Sequence, residues 1–148
     1  MAKLSDLSTS EKANKGAFLH LTHPADPSEH LFSEDKKPVG FTMLGMDSDV
    51  AVAQSYALTD RILDPKAKNA KVTAAQSDEE AAASLAALVR GEGWNIPQGW
   101  IDGTDDDTPS QFSTENVVKM FNNKGVKWVR EQANRFAGTR ANFLKASS

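Results

Sequence analysis

The stretch VGFTMLGMDSD, residues 39–49, decides the fold because a strand pattern and a helix start meet within it. Apolar side chains occupy every second position of VGFTM, which is typical of a strand with one buried face. After Gly45 the alternation ends, and Asp47 or Ser48 is suited to cap a helix. The stretch therefore predicts a strand that is followed directly by a helix.

A second alternating segment, GAFLHLTH at residues 16–23, lies upstream of this strand. Residues 24–38, which join the two, contain three prolines among charged side chains and predict a loop. Residues 16–45 together predict a β-hairpin, which must pack on helices to be stable. Residues 1–15 are polar with two isolated leucines, and they predict a mobile arm or a short helix.

The helix that follows Ser48 is expected to end before Pro65, because proline cannot continue a helix. Val52, Tyr56 and Leu63 are predicted to lie along its buried side.

An Ala-rich helix is predicted next, over residues 66–90. Ser77 is suited to be its N-cap, with Glu80 as the capping-box partner, and Gly91 is suited to end it. Its many small residues would let another helix approach closely, although a plain surface helix has the same composition.

Residues 91–112 are rich in Gly, Pro and Asp, and they also contain four large apolar residues. These residues are Trp94, Ile96, Trp100 and Ile101. We therefore expect a loop that is packed onto the core, and we favour core packing of the tryptophans over an aromatic ligand cage.

Two further helices are predicted near the end of the chain. Ser113 is suited to cap the helix STENVVKMF, and a final helix covers about residues 125–137, with Gly138 as its stop. The 148 residues are thus expected to form a single domain with an α+β, mostly α fold. It would have a small N-terminal β-hairpin packed on about four helices within residues 46–148.

An apolar pair, Phe143 and Leu144, follows the expected helix stop, whereas a chain terminus is normally polar. Trp128 and Phe136 lie on the apolar stripe of the final helix. These four side chains either pack back on the protein's own core or dock on a partner.

Composition argues against several classes of protein. The formal charge of -3 and the dispersed Lys and Arg residues give no basic surface, so no nucleic-acid partner is expected. No apolar run approaches the length of a membrane span and the N-terminus has no signal-peptide pattern, so we expect a soluble protein without a membrane partner. The absence of cysteine is compatible with a reducing cytoplasm.

No catalytic, cofactor or metal site is predicted. His20 and His23 would point to opposite faces of a strand, so a structural or surface role is favoured for them and for His30. The acidic segment from Asp102 lacks the Gly and Glu that an EF-hand loop requires, which favours a solvated turn over an irregular cation site. Phosphate-loop and serine-hydrolase motifs are absent as well, so we expect the chain not to be an enzyme.

Four segments occur in a characteristic order: THP after the first strand, LGMDS after the second, FSTEN at the penultimate helix, and WVREQ…RANFL at the end. In this order they resemble the tail assembly chaperones of long, non-contractile-tailed bacteriophages. The resemblance covers nearly the whole chain, although residues 60–92 match only in helical composition. The charged insertion at residues 23–38 and the acidic linker before FSTEN depart from the family pattern.

The resemblance implies a role without catalysis or cofactors, in the cytoplasm of the host bacterium. Such a protein would bind the tape-measure protein, keep its apolar helices soluble, and bring tail-tube subunits to it during tail assembly. It would be absent from the mature virion, and it would be the shorter of two products if the gene uses a translational frameshift.

We expect Trp128, Phe136, Phe143 and Leu144 to mediate client binding or self-association. The alternative is a structural (minor) tail protein that is retained in the virion, or another phage interaction protein.

Overall fold

The computed structural model describes residues 8–63 and 74–146. The strands are β1 (Ala17–His20), β2 (Thr22–His23), β3 (Asp26–His30), β4 (Gly40–Met43) and β5 (Val89–Asn95). The helices are α1 (Thr9–Lys15), α2 (Asp49–Leu63), α3 (Ala74–Ala86), α4 (Gln98–Asp102), α5 (Thr114–Asn122), α6 (Lys127–Ala137) and α7 (Arg140–Ala146), with a 3-10 turn at Lys124–Val126. The predicted α+β, mostly α fold is confirmed, but the described residues form seven short helices rather than about four.

The main sheet has the strand order β1-β4-β5, with β4 in the centre. β1 and β4 pair antiparallel, with Ala17 opposite Met43 and His20 opposite Gly40, so the predicted hairpin pairing is confirmed. Phe41 and Met43 are fully buried. The alternating side chains of the central strand therefore form the middle of the core.

Strand β5 is a part of the sheet that the sequence did not predict. It pairs antiparallel with β4. The helix predicted over residues 66–90 ends instead at Ala86, and Gly91 lies within β5 rather than at a helix stop. The N–H of Leu44 donates to the carbonyl of Leu88 at 2.8 Å, so backbone pairing next to the central strand replaces a further helical turn.

A second, smaller hairpin lies between β1 and β4, in which β2 and β3 pair antiparallel. β2 is the end of the segment predicted as one strand over residues 16–23, and β3 lies within the predicted loop. Three backbone hydrogen bonds fix this hairpin to the main sheet. The N–H of Leu21 donates to Val39 at 2.9 Å, that of Leu31 to Leu21 at 3.0 Å, and that of Val39 to Leu31 at 3.0 Å.

Over residues 49–57, the part of α2 whose side chains are described, contact with the core is made in the first turn. Ser48 caps the helix as predicted, because its hydroxyl accepts the N–H of Ala51 at 3.3 Å. Val52 is 37% exposed and Tyr56 is 69% exposed, so the prediction that they form the buried side is wrong. The side chain of Leu63 is outside the described part of the structure.

Helix α3 begins at Ala74, so the predicted capping box of Ser77 and Glu80 is wrong, since both residues lie inside the helix. Residues 66–73 of the predicted helix are outside the described residues. The buried face of α3, which includes Ala82, packs mainly on α5.

The four large apolar residues of 91–112 pack down as predicted, although the segment begins as a strand. Ile96 and Ile101 are buried, and Trp94 and Trp100 are half-buried against the core. The indole N–H of Trp94 donates to the Ser110 hydroxyl at 3.1 Å, which satisfies the polar atom of this aromatic ring.

Both chain ends of the described part are helical. Thr9–Lys15 forms α1, the helix alternative for this part of the N-terminal segment, and residues 1–7 are outside the described part. Ser113 caps α5, accepting the N–H of Asn116 at 3.0 Å, and Gly138 follows the end of α6, both as predicted. Over the described residues, no helix combines the length and the apolar character needed to cross a membrane.

Candidate partner-binding groove

An open groove of about 740 Å³ runs between α2 and α3. Small side chains from both helices form most of its lining, and larger apolar side chains contribute at a few positions. From α2 the lining residues are Ala51, Gln54, Ser55 and Ala57; from α3 they are Ser77, Glu80, Ala81, Ala83, Ser84 and Leu85; Met46, Leu88 and Asn134 complete it.

The groove lies between residues 51–57 of α2 and the side of α3 that faces away from α5. α3 turns its buried side chains toward α5, which leaves Ala81 and Ser84 exposed toward α2. Within residues 49–57, α2 contacts the core in its first turn, and the following residues Ser55 and Ala57 line the groove. Side chains this small cannot fill the space between two helices, so an apolar surface stays accessible.

An exposed large apolar side chain lines the groove. Met46 is 51% exposed and lies at its edge. Val52 and Tyr56 are also exposed on α2, but at about 100° per residue they point away from the side that carries Ala51 and Gln54, so they do not line the groove.

Acidic residues lie in the middle of α3. Glu80 lines the groove, and Glu79 is exposed beside it. Asp78 forms an ion pair with Arg130 of α6, with a separation of 3.1 Å.

The structure places the C-terminal apolar pair against the protein's own core. Phe143 is only 3% exposed, and its ring meets that of Phe136 edge-on with the centroids 5.4 Å apart. A Cβ atom on Gly45 would lie 3.0 Å from the Phe143 ring, so the glycine makes room for this contact. Phe143 therefore packs on the protein's own core, which is one of the two alternatives for the tail, and Leu144 is half-buried next to it.

Trp128 packs against a different aromatic ring of the chain from those that Phe136 and Phe143 contact. Its ring meets that of Trp100 edge-on at 5.3 Å, and the Trp100 carbonyl accepts the side-chain amide of Asn123 at 2.8 Å. Trp128 and Phe136 are both half-buried against the core. Binding of a partner by these side chains stays a prediction.

Polar contacts hold the terminal helix α7 in place. The Arg140 guanidinium donates to both oxygens of Asp47, at 2.5 and 3.0 Å. These bonds hold the pKa of Asp47 below its ordinary value, and the Thr9 side chain lowers the pKa further. The N–H of Met46 also donates to the carbonyl of Ala137 at 3.0 Å, so the LGMDS segment contacts the last residue of α6 directly.

The WVREQ segment connects α6 with distant parts of the chain. Arg130 donates to the carboxylate and the carbonyl of Asp78, at 3.1 and 3.0 Å. Gln132 accepts the N–H of Thr22 at 3.0 Å and donates to its carbonyl at 2.9 Å, as a neighbouring strand would do. The presence of Arg130 and Gln132 in the WVREQ segment is therefore explained by the contacts that they make within the fold.

The acidic segment after α4 is an exposed turn. Asp106 accepts the hydroxyl and the N–H of Thr108, at 2.7 and 2.9 Å, and these bonds lower the pKa of its carboxyl. Within residues 8–63 and 74–146, no group of three or more His, Cys, Asp and Glu side chains is placed to hold a metal ion.

Comparison with protein-family models, with curated proteins and with solved structures gives no match to this chain. The groove is therefore described from its own chemistry.

The groove, including Met46, was not predicted from the sequence. A usable signal was present in the small residues Ser77, Ala81 and Ser84, which recur at helical spacing on one face of α3. Small residues permit the close approach of another helix, but their pattern does not identify the surface that they face.

Proposed function

We propose that this chain is a bacteriophage tail assembly chaperone that binds an apolar-faced helix of the tape-measure protein in the groove between α2 and α3. The proposal also includes the recruitment of tail-tube subunits to that complex during tail assembly. The order of sequence motifs suggests the family. The apolar groove lined by small side chains is the observation that supports the binding role.

The dimensions of the groove suit a helix. From Ser77 to Leu85, α3 gives a wall about 12 Å long, since a helix rises about 1.5 Å per residue. Helix axes pack about 8–10 Å apart, and the shorter distances require small side chains such as those of Ala81 and Ser84. Met46 adds an exposed apolar contact at the edge of the groove, as expected for a site that binds one face of an amphipathic helix.

Charge supports the same role. The formal charge of -3 helps a complex with an apolar client to stay soluble. The exposed side chain of Glu79 beside the groove favours a client helix that carries Lys or Arg.

Trp128, Phe136, Phe143 and Leu144 are a proposed second contact, for the client or for another copy of the chain. Contact through Phe143 requires α7 to leave the core, because this side chain is buried. The groove needs no such rearrangement, so we assign it the first encounter with the client.

A matched pair of variants tests the groove. Ala81 and Ala53 are both exposed alanines on neighbouring helices, but only Ala81 lines the groove. Ala81→Trp should fill the groove and abolish co-purification with the co-expressed tape-measure protein, whereas Ala53→Trp should retain it. Equal binding by the two variants, with thermal unfolding showing that both are folded, would exclude the groove as the client site.

The alternative function, a structural (minor) tail protein, predicts a different location. A chaperone should be absent from finished particles, so mass spectrometry of purified virions should not detect this chain. Its detection at a fixed copy number per particle would favour the structural role.

A further inference from the structure

Two histidines that are ten residues apart come together on the sheet side of the molecule. His20 ends β1 and His30 ends β3, and their ring centroids are 4.7 Å apart with the ring planes tilted by 47°. His23 is nearer to His20 in the sequence, but the small hairpin brings the ring of His30 next to that of His20.

The His20 ring is oriented as a metal-binding imidazole usually is. Its Nε2 lies 2.7 Å from the carbonyl oxygen of Leu31, and because a carbonyl only accepts, Nε2 carries the proton in this contact. The neutral ring then has its lone pair on Nδ1. Donation from the other ring nitrogen to a backbone carbonyl is the usual arrangement that orients histidine ligands and increases their basicity.

The distance between the two rings suits adjacent positions on one ion. A metal–nitrogen bond of about 2.1 Å places each ring centroid about 3.2 Å from the metal. Two centroids at that distance and 4.7 Å apart subtend an angle of about 95° at the metal. A value near 90° is found between adjacent ligands of square-planar and octahedral ions, which include Cu²⁺ and Ni²⁺.

The surroundings leave one side of the pair open. Phe32 meets the His20 ring edge-on at 4.8 Å, and Phe18 lies at 6.3 Å, so aromatic rings flank it. His30 is exposed and can present a ring nitrogen to solvent. Over the described residues no third His, Cys, Asp or Glu completes a cluster, so the remaining positions on an ion fall to water or to a donor of another molecule.

We propose that His20 and His30 form a two-imidazole binding site for a late first-row divalent transition-metal ion. Imidazole suits such ions, whereas Mg²⁺ and Ca²⁺ prefer oxygen ligands. The site is separate from the groove between α2 and α3 and does not depend on the proposed chaperone role.

His23 supplies a matched control within the same hairpin. Its Nδ1 accepts the N–H of Ala25 at 3.0 Å, so one of its ring nitrogens is already engaged by backbone. The test is calorimetric titration of the untagged chain with Ni²⁺, for the wild type and for His30→Ala, His20→Phe and His23→Ala. The His20→Phe variant keeps a ring at that position and removes its nitrogens.

We expect one Ni²⁺ per chain in the wild type, at least tenfold weaker binding in His20→Phe and His30→Ala, and binding within twofold of wild type in His23→Ala. In heteronuclear NMR spectra, the paramagnetic ion should broaden the amide signals of Leu31 and Phe32 first. The absence of saturable binding by the wild type would overturn the proposal, as would an equal loss in the His23→Ala variant.

Discussion

Phe143→Ala tests whether the C-terminal helix rests on the core, on which the description of the tail depends. Phe143 is 3% exposed and meets the Phe136 ring at 5.4 Å. Burying a Phe side chain contributes about 1.5–3 kcal/mol, and an aromatic pair adds about 0.5–1.5 kcal/mol. A pocket of about 190 Å³ borders the site, so solvent can reach the space left by the ring and the cavity term should be small.

We therefore expect Phe143→Ala to lower the free energy of unfolding by about 3 kcal/mol, near the low end for Phe→Ala changes in protein cores. In guanidinium unfolding followed by tryptophan fluorescence, the midpoint should fall while the slope stays unchanged. Leu144→Ala is the control, because this half-buried neighbour should cost only about 1 kcal/mol. A loss below about 0.5 kcal/mol for Phe143→Ala would refute the reasoning and show that α7 does not rest on the core.

Three further predictions concern charge, backbone packing and exposure. Because Arg140 holds the pKa of Asp47 below 3.8, this ion pair should stabilise the fold above about pH 4 and lose its effect as the pH falls through the lowered pKa. The melting temperature of Asp47→Asn should thus be below wild type at pH 6 and should approach it near pH 2, and a constant difference would contradict this. In Gly40→Ala the new Cβ would lie 1.9 Å from the Leu19 carbonyl oxygen, so circular dichroism should show loss of the native fold; wild-type stability would refute the β1–β4 register. Tyr56→Ser should change the free energy of unfolding by less than about 0.5 kcal/mol, because Tyr56 is 69% exposed, and a larger loss would show that Tyr56 packs on the core.

The β1–β4 pairing and several helix ends were predictable because each depends on local chemistry. Ser48 and Ser113 cap the helices that follow them, as short hydroxyl side chains commonly do. The strand-to-helix change after Met43 was visible as a change of hydrophobic period.

Strand β5 could not be predicted because a bulge breaks its pattern. Gly40 of β4 pairs with Asn95, whereas Thr42 pairs with Arg90. A step of two residues along β4 therefore corresponds to a step of five residues along β5. The extra residues include Gly91 and other residues that are unfavourable in a regular strand, and they conceal any alternation.

The groove and the exposure of α2 depend on tertiary placement, which a helical pattern does not specify. Val52 and Tyr56 have the spacing of a buried stripe, but within residues 49–57 α2 contacts the core in its first turn and leaves both side chains exposed. The tail posed the same difficulty, because the space for Phe143 is provided by Gly45, nearly a hundred residues away in the sequence.

Native mass spectrometry of this chain co-expressed with the tape-measure protein of the same genome tests the central claim most directly. The chaperone account predicts a soluble complex in which several copies of this chain bind one tape-measure chain, and no such complex for Ala81→Trp. Failure of the wild-type chain to form any complex while the tape-measure protein stays insoluble would contradict the account.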